Sequence, residues 1–119
     1  EHAVKLHVSV EDVTLSMNTV IPCALIINEL VSNSLKHAFP GAARLADGAG
    51  EIRIGLRRDA DHGYILTVSD NGVGLPPGFA FEDCETLGLK LVSVLVRQLQ
   101  GAIHISTNGR TEFEISFVE

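Results

Sequence analysis

Long apolar runs are missing from this sequence, and so is any excess of basic charge. No stretch approaches the roughly 20 consecutive apolar residues of a membrane-spanning helix, and the start carries no signal-peptide pattern, so no membrane contact is expected. Lysine and arginine number 9 against 15 acidic residues, a net charge of −6, which repels polyanions and argues against nucleic acid as a partner. Cysteine is limited to Cys23 and Cys84, far apart and in no metal or redox spacing. Two thiols without a framework suit a reducing, cytoplasmic setting, with a disulfide between them as the minor alternative. Repeats, low-complexity stretches and charge blocks are also absent. What remains is 119 residues at 45% hydrophobic and 20% charged, with 11 glycines and 4 prolines, the make-up of one folded domain with a single core. The chain starts at Glu1 rather than methionine, so residues 1–119 are expected to be one domain cut from a longer protein.

Side-chain periodicity sets out the elements. Val4 to Val10 alternates apolar and polar side chains, with Leu6, Val8 and Val10 on one face of a half-buried strand. Val13, Leu15 and Met17 resume the alternation after Glu11-Asp12, which suggests a hairpin. Asn18-Thr19 offers a helix cap and Pro22 suits a first turn; the helix then runs, strongly apolar, to Ala38 and ends at Phe39-Pro40-Gly41. After a small-residue loop, Glu51 to Arg58 and Tyr64 to Ser69 read as strands joined by a short turn. Asp70 to Glu85 is a long loop, and Thr86 to Leu99 has helical spacing through Leu87, Leu91, Val94, Leu95 and Leu99, stopped by Gly101. A last hairpin, Ala102 to Ser106 and Thr111 to Val118, turns at Asn108-Gly109 and places Phe113, Ile115 and Phe117 together. The order β-β-α-β-β-α-β-β predicts an α+β fold, a two-layer sandwich with helices on one face of a mixed, mostly antiparallel sheet.

Three places carry chemistry. On the first helix Glu29, Asn33, Lys36 and His37 fall at offsets that share one face. Such a stripe is either a solvated face with a Glu29–Asn33–Lys36 hydrogen-bond ladder, or a magnesium-phosphate site. In the second case the Asn33 oxygen is a hard ligand and Lys36 neutralises phosphate. Asp70-Asn71-Gly72-Val73-Gly74 follows directly on a strand. It is either a tight Asn-Gly turn or a place where glycines let the backbone approach a flat ligand while the carboxylate accepts from an amine. It is neither a P-loop nor a dinucleotide fingerprint. Gly88 and Leu89 open the second helix, a simple helix entry or an anion site.

In combination these stretches resemble a known family. Asn28-Glu29-Leu30-Val31-Ser32-Asn33-Ser34-Leu35-Lys36-His37-Ala38 is similar to the N box of the Bergerat-fold ATP-binding superfamily of histidine kinases and gyrase-type topoisomerases. Asp70-Asn71-Gly72-Val73-Gly74 is similar to its first glycine box, and Leu87-Gly88-Leu89 to a shortened second one. The resemblance runs from about Val13 to Phe117 and looks closest to sensor histidine kinases of the HWE type. It implies ATP and Mg²⁺ as cofactors, with Asn33 as the metal ligand and Lys36 and His37 against the phosphates. Asp70 would take the adenine amine between Gly72 and Gly74, with Thr111 helping through water. Gly88 and Leu89 would support the triphosphate, and Glu29 would assist the phosphoacceptor as the catalytic residue.

The implied partners are a phosphoacceptor histidine domain, in the same or a paired chain, and a downstream response regulator, within a dimeric full-length protein. Two departures stand out. Gly109-Arg110 replaces a glycine pair before Thr111, and the second box lacks a glycine. Nothing resembles the helical hairpin that carries a phosphorylated histidine; His62 and His104 read as turn and strand surface. This chain is therefore expected to bind nucleotide without phosphorylating itself. The alternatives are an anti-sigma-factor serine kinase of the same superfamily and a docking module that has lost ATP binding.

Overall fold

A computed structural model describes residues 4–38, 50–60, 62–72, 87–107 and 110–119, with His37, Ala38 and Leu87 described by backbone alone. Strand β1 is Val4–Val10, and helix α1 is Met17–Asn33, prolonged by a π-helical segment at Ser34–Ala38. Then come β2 (Gly50–Arg58), β3 (Tyr64–Asp70), α2 (Leu87–Gln98), β4 (Ala102–Ser106) and β5 (Thr111–Phe117). The strands form one mixed sheet in the order β1-β2-β3-β5-β4, antiparallel except for the β1–β2 pair. The α+β two-layer arrangement is the expected one. The loop expected after Ala38, the middle of the long loop after Asp70, and the Asn108-Gly109 turn lie outside the described residues.

The expected strand at Val13–Met17 does not form, and with it goes the first hairpin. β1 instead pairs in parallel with β2, from Val4↔Gly50 to Val10↔Leu56, which requires a crossover, here through α1. Glu11 and Asp12 stay beside the end of β2, where the Glu11 N–H donates to the Leu56 carbonyl at 3.0 Å and Glu11 Oε1 accepts the Arg58 N–H at 3.0 Å, while the Ser16 N–H donates to Glu119 Oε2 at 2.6 Å. Leu15 packs against the core from this extended lead-in, which accounts for the alternation without a strand. The helix cap is Ser16 rather than Asn18-Thr19, and its carbonyl accepts from Thr19 and Val20. Pro22 thus falls inside α1, where its lack of an N–H leaves the Asn18 carbonyl one helical bond short.

The core lies between the helices and the sheet. Cys23, Ile26 and Leu30 of α1 meet Leu89, Val92, Leu95 and Val96 of α2, followed by Leu99, over Ile52, Leu66, Val68, Phe113, Ile115 and Phe117. The buried stripe of α2 is rotated from the expected one, since Leu91 and Val94 are exposed. α1 is less buried than its apolar sequence suggests: Val20, Ile21, Leu25 and Leu35 are exposed, as are Leu6, Val8 and Val10 of the edge strand. These three share the helix-bearing face with Ile52, Ile54 and Leu56 through the β1–β2 register, but no described element covers them. Cys23 is a free, buried thiol, pushed up to about 11 by burial and then by Glu119, so at neutral pH it is an uncharged core group. Cys84 lies outside the described residues.

α2 ends in a Schellman turn. The Gly101 N–H reaches the Val96 carbonyl at 3.0 Å, and the Gln100 N–H reaches Arg97 at 2.9 Å. The left-handed residue is Gln100, at φ 54°, rather than the expected Gly101. Gly101 has a different constraint, because a Cβ there would fall on the Ser116 carbonyl oxygen. Gln100→Gly relieves the left-handed strain of a side chain. It is expected to raise stability by roughly 0.5–1 kcal/mol in denaturant unfolding, whereas an unchanged midpoint would mean Gln100 pays no such cost.

Candidate functional site

The polar face of α1 meets the start of α2. Glu29 and Asn33 are half-buried and Lys36 is exposed. A Cβ on Gly88 would stand 2.7 Å from Glu29 Oε1 and 3.8 Å from Asn33 Oδ1, which sets the first turn of α2 directly against these two side chains. No hydrogen bond joins Glu29 to Asn33 or Lys36, and the buried Asn33 Nδ2 has no partner among the described residues. The ladder that would make the stripe a purely structural face is therefore not formed. Below Asn33 the helix widens into its π segment, so Lys36 and His37 do not keep the α-helical phase assumed from their offsets. The backbone places His37 in this segment; its side chain is not among the described atoms.

A second group sits at the end of β3. Asp70 is 4% exposed, and its carboxylate is tied at both oxygens. The Ser34 hydroxyl donates to Oδ2 at 2.8 Å, and the Gly72 N–H donates to Oδ1 at 3.0 Å. Thr111, also buried, stands opposite Asp70 in the β3–β5 register. Gly74 lies outside the described residues, and the Leu89 side chain belongs to the core. Sequence reasoning missed Ser34. Its only sequence signal is a hydroxyl immediately after Asn33 on a largely apolar helix. Through the Asn33–Ser34 peptide the two groups, Glu29–Asn33–Gly88 and Ser34–Asp70–Gly72–Thr111, become one continuous polar wall.

Behind this wall, on the opposite face of the sheet, Glu51 gathers cations. Its Oε1 lies 3.1 Å from both Arg53 Nε and Arg110 Nη1, and its Oε2 lies 2.9 Å from His7 Nε2. Arg110, which stands where the family pattern has a glycine, thus ties the start of β5 to β2 across β3. Asn71 closes the same end, its Oδ1 accepting the Glu51 N–H at 2.8 Å. Desolvation, the largest influence on Glu51, raises its carboxyl, but Arg53, His7 and Arg110 together outweigh it and hold it below the ordinary glutamate value. A lowered folded value stabilises the fold above the unfolded value of about 4.5 and is lost as pH falls through the folded one. Stability should accordingly fall on acidification below about pH 4.5, and Glu51→Gln should flatten part of that fall in thermal melts taken across pH. His62 and His104 are exposed, at the turn and strand surface where they were expected.

The donor set suits a nucleotide with a divalent cation. Among the described residues no group of three His, Cys, Asp or Glu side chains gathers as a metal cage. An ion at Asn33 would take its other oxygens from water and phosphate, the habit of Mg²⁺. The buried Asn33 Nδ2, a donor without a partner among the described residues, fits a phosphate oxygen, its Oδ1 is the hard ligand a cation would take, and the fixed acceptor at Asp70 fits an amine. Among the described residues no helix is long and apolar enough to cross a membrane.

The family model described as histidine kinase-, DNA gyrase B- and HSP90-like ATPase matches residues 18–119. The sensor histidine kinase PdtaS of Mycobacterium tuberculosis is 39% identical over 80 residues, which is 66% of this chain and 15% of that protein. The blue-light-activated histidine kinase 2 of Erythrobacter litoralis is 27% identical over 112 residues, 90% of this chain and 30% of that protein. The solved histidine kinase domain of the blue-light-activated kinase EL346 from Erythrobacter litoralis superposes with a TM-score of 0.83 at 24% identity, covering 98% of this chain and 55% of that one. The chain thus spans less than a third of the curated relatives named here. With its fold, its three boxes and this match in agreement, the chain belongs to the histidine kinase-, DNA gyrase B- and HSP90-like ATPase family.

Proposed function

We propose that this chain is the ATP-binding catalytic domain of a sensor histidine kinase, handing the γ-phosphate to a histidine on a neighbouring domain, from which a response regulator takes it. The observation that carries the reading is the buried Asn33 Nδ2, a donor with no partner among the described residues, beside Gly88 at the head of α2, where a phosphate oxygen would complete it. An unpaired buried amide costs stability and is retained where a ligand completes it.

Each residue has a role in this reading. Asp70 accepts from the adenine amine, with Gly72 and Gly74 beside the base and Thr111 opposite. Asn33 Oδ1 would hold Mg²⁺, which would supply positive charge to screen the phosphate oxygens while the γ-phosphoryl group passes from ADP to the histidine. Lys36 and His37 add positive charge against the phosphates, and the backbone at Gly88 and Leu89 supports them at a helix start. Glu29, with its carboxylate against Gly88, orients the incoming histidine. Phosphoryl transfer asks chiefly for positioning and charge neutralisation, and this wall supplies both.

Calorimetric titration with a non-hydrolysable ATP analogue, with and without Mg²⁺, tests the reading. Binding that tightens at least about 10-fold with Mg²⁺ is expected, the range for a charge-assisted contact. An absence of binding under both conditions would leave a docking module as the better account.

A further inference from the structure

We propose that Ser34 is a positioning residue for base recognition: by committing its hydroxyl proton to Asp70, it leaves the Ser34–Asp70 pair able only to accept hydrogen bonds and holds the carboxylate in one orientation. Ser34 thereby sharpens the preference for a 6-amino over a 6-oxo purine that the reading above gives Asp70. The inference rests on the reading above that Asp70 meets the base.

The geometry is specific. A serine within a helix commonly returns its hydroxyl to a carbonyl one turn back. Ser34 has its backbone N–H engaged by Leu30 and Val31 in the ordinary helical way, but sends its hydroxyl across 36 residues of sequence to Asp70 Oδ2, at 2.8 Å. Both partners are buried, Ser34 at 7% exposure and Asp70 at 4%. A buried hydroxyl and carboxylate stabilise a core less well than apolar side chains of the same shape, so packing alone gives no reason for the pair.

The chemistry follows from counting protons. An ionised carboxylate only accepts, and a serine hydroxyl has one proton to give. Once that proton points at Oδ2, every remaining free position on the pair is a lone pair. Because the Gly72 N–H holds Oδ1, the carboxylate is fixed from two sides, by a helix and by the glycine loop. Rotation would break one of the two bonds. A 6-amino group finds an acceptor already oriented toward it, while a 6-oxo group would meet lone pair with lone pair. Removal of the hydroxyl leaves Asp70 held from one side, free to turn and less able to distinguish the two bases.

The test uses the whole chain, titrated calorimetrically with ADP and with inosine diphosphate, which differ at the 6-position. The unmodified protein should favour ADP. Ser34→Ala should weaken ADP by about 10-fold, the scale of one hydrogen bond to a charged group, and shift inosine diphosphate by less than about 2-fold, so that the ratio narrows. Ser34→Thr, which keeps the donor, should retain the ratio. Ser34→Cys, with similar size and a weak donor, provides the same comparison if the alanine variant misfolds by circular dichroism. An equal loss for both nucleotides would reveal a merely structural serine and overturn the proposal, as would an unchanged ratio. Failure of the unmodified chain to bind either nucleotide would overturn the nucleotide reading itself, and this inference with it.

Discussion

Asp70→Asn is expected to reduce adenine-nucleotide affinity by at least about 100-fold while the chain still folds. The carboxylate receives one donor at each oxygen, from Ser34 and from Gly72. An amide can satisfy only one of these as an acceptor. The Gly72 N–H is a backbone donor with no other orientation, so the amide oxygen must face it. The NH₂ then turns toward Ser34, whose hydroxyl can rotate and become an acceptor. The fold therefore keeps its hydrogen bonds at modest cost, but the surface offered to the base now includes donors. A 6-amino group meets an N–H where it needs a lone pair, and a site left with mismatched buried polar groups discriminates strongly. Titration with ADP and a thermal melt on the same sample read the two effects separately. Retained affinity with an unchanged melt would remove Asp70 from the base pocket.

The elements and the site differed in how much of them could be read from sequence, for physical reasons. β3, β4, β5 and most of β2 follow from period-2 alternation bounded by local turns, and they form within a residue or two of where the pattern puts them. The supposed strand at Val13–Met17 has the same alternation but no partner. Whether an alternating segment becomes a strand depends on pairing, and here β1 takes β2, beyond a helix and a loop. Phase errors have a related origin. The apolar residues of α1 outnumber those its buried face can use, so sequence alone did not single out Ile26 and Leu30 over Ile21 and Leu25. The shared face of Glu29 and Asn33 was legible because i, i+4 spacing survives in α1, whereas the π-helical segment alters the phase at Lys36. The Ser34–Asp70 contact was illegible because it joins residues 36 positions apart.

The second large effect is expected at Asn33, and its sign differs between stability and binding. The buried Nδ2 of Asn33 has no partner among the described residues, and these bear its desolvation without return. Asn33→Ala removes the unpaired amide from a half-buried helical position and substitutes the residue with the highest helix propensity. Stability should rise by roughly 1 kcal/mol, the lower end of the cost of an unsatisfied buried polar group, offset in part by lost packing. If the amide oxygen holds Mg²⁺, the same change should abolish the Mg²⁺-dependent gain in ATP-analogue affinity, yet leave ADP binding without Mg²⁺ within about 3-fold. An asparagine retained for the fold would give the opposite pattern: a lower melting temperature with the Mg²⁺ response intact. A residue that destabilises the fold it sits in and strengthens the binding of a metal-bound ligand is the mark of a site shaped for function. Two melts and four titrations, on the unmodified chain and Asn33→Ala, distinguish the two.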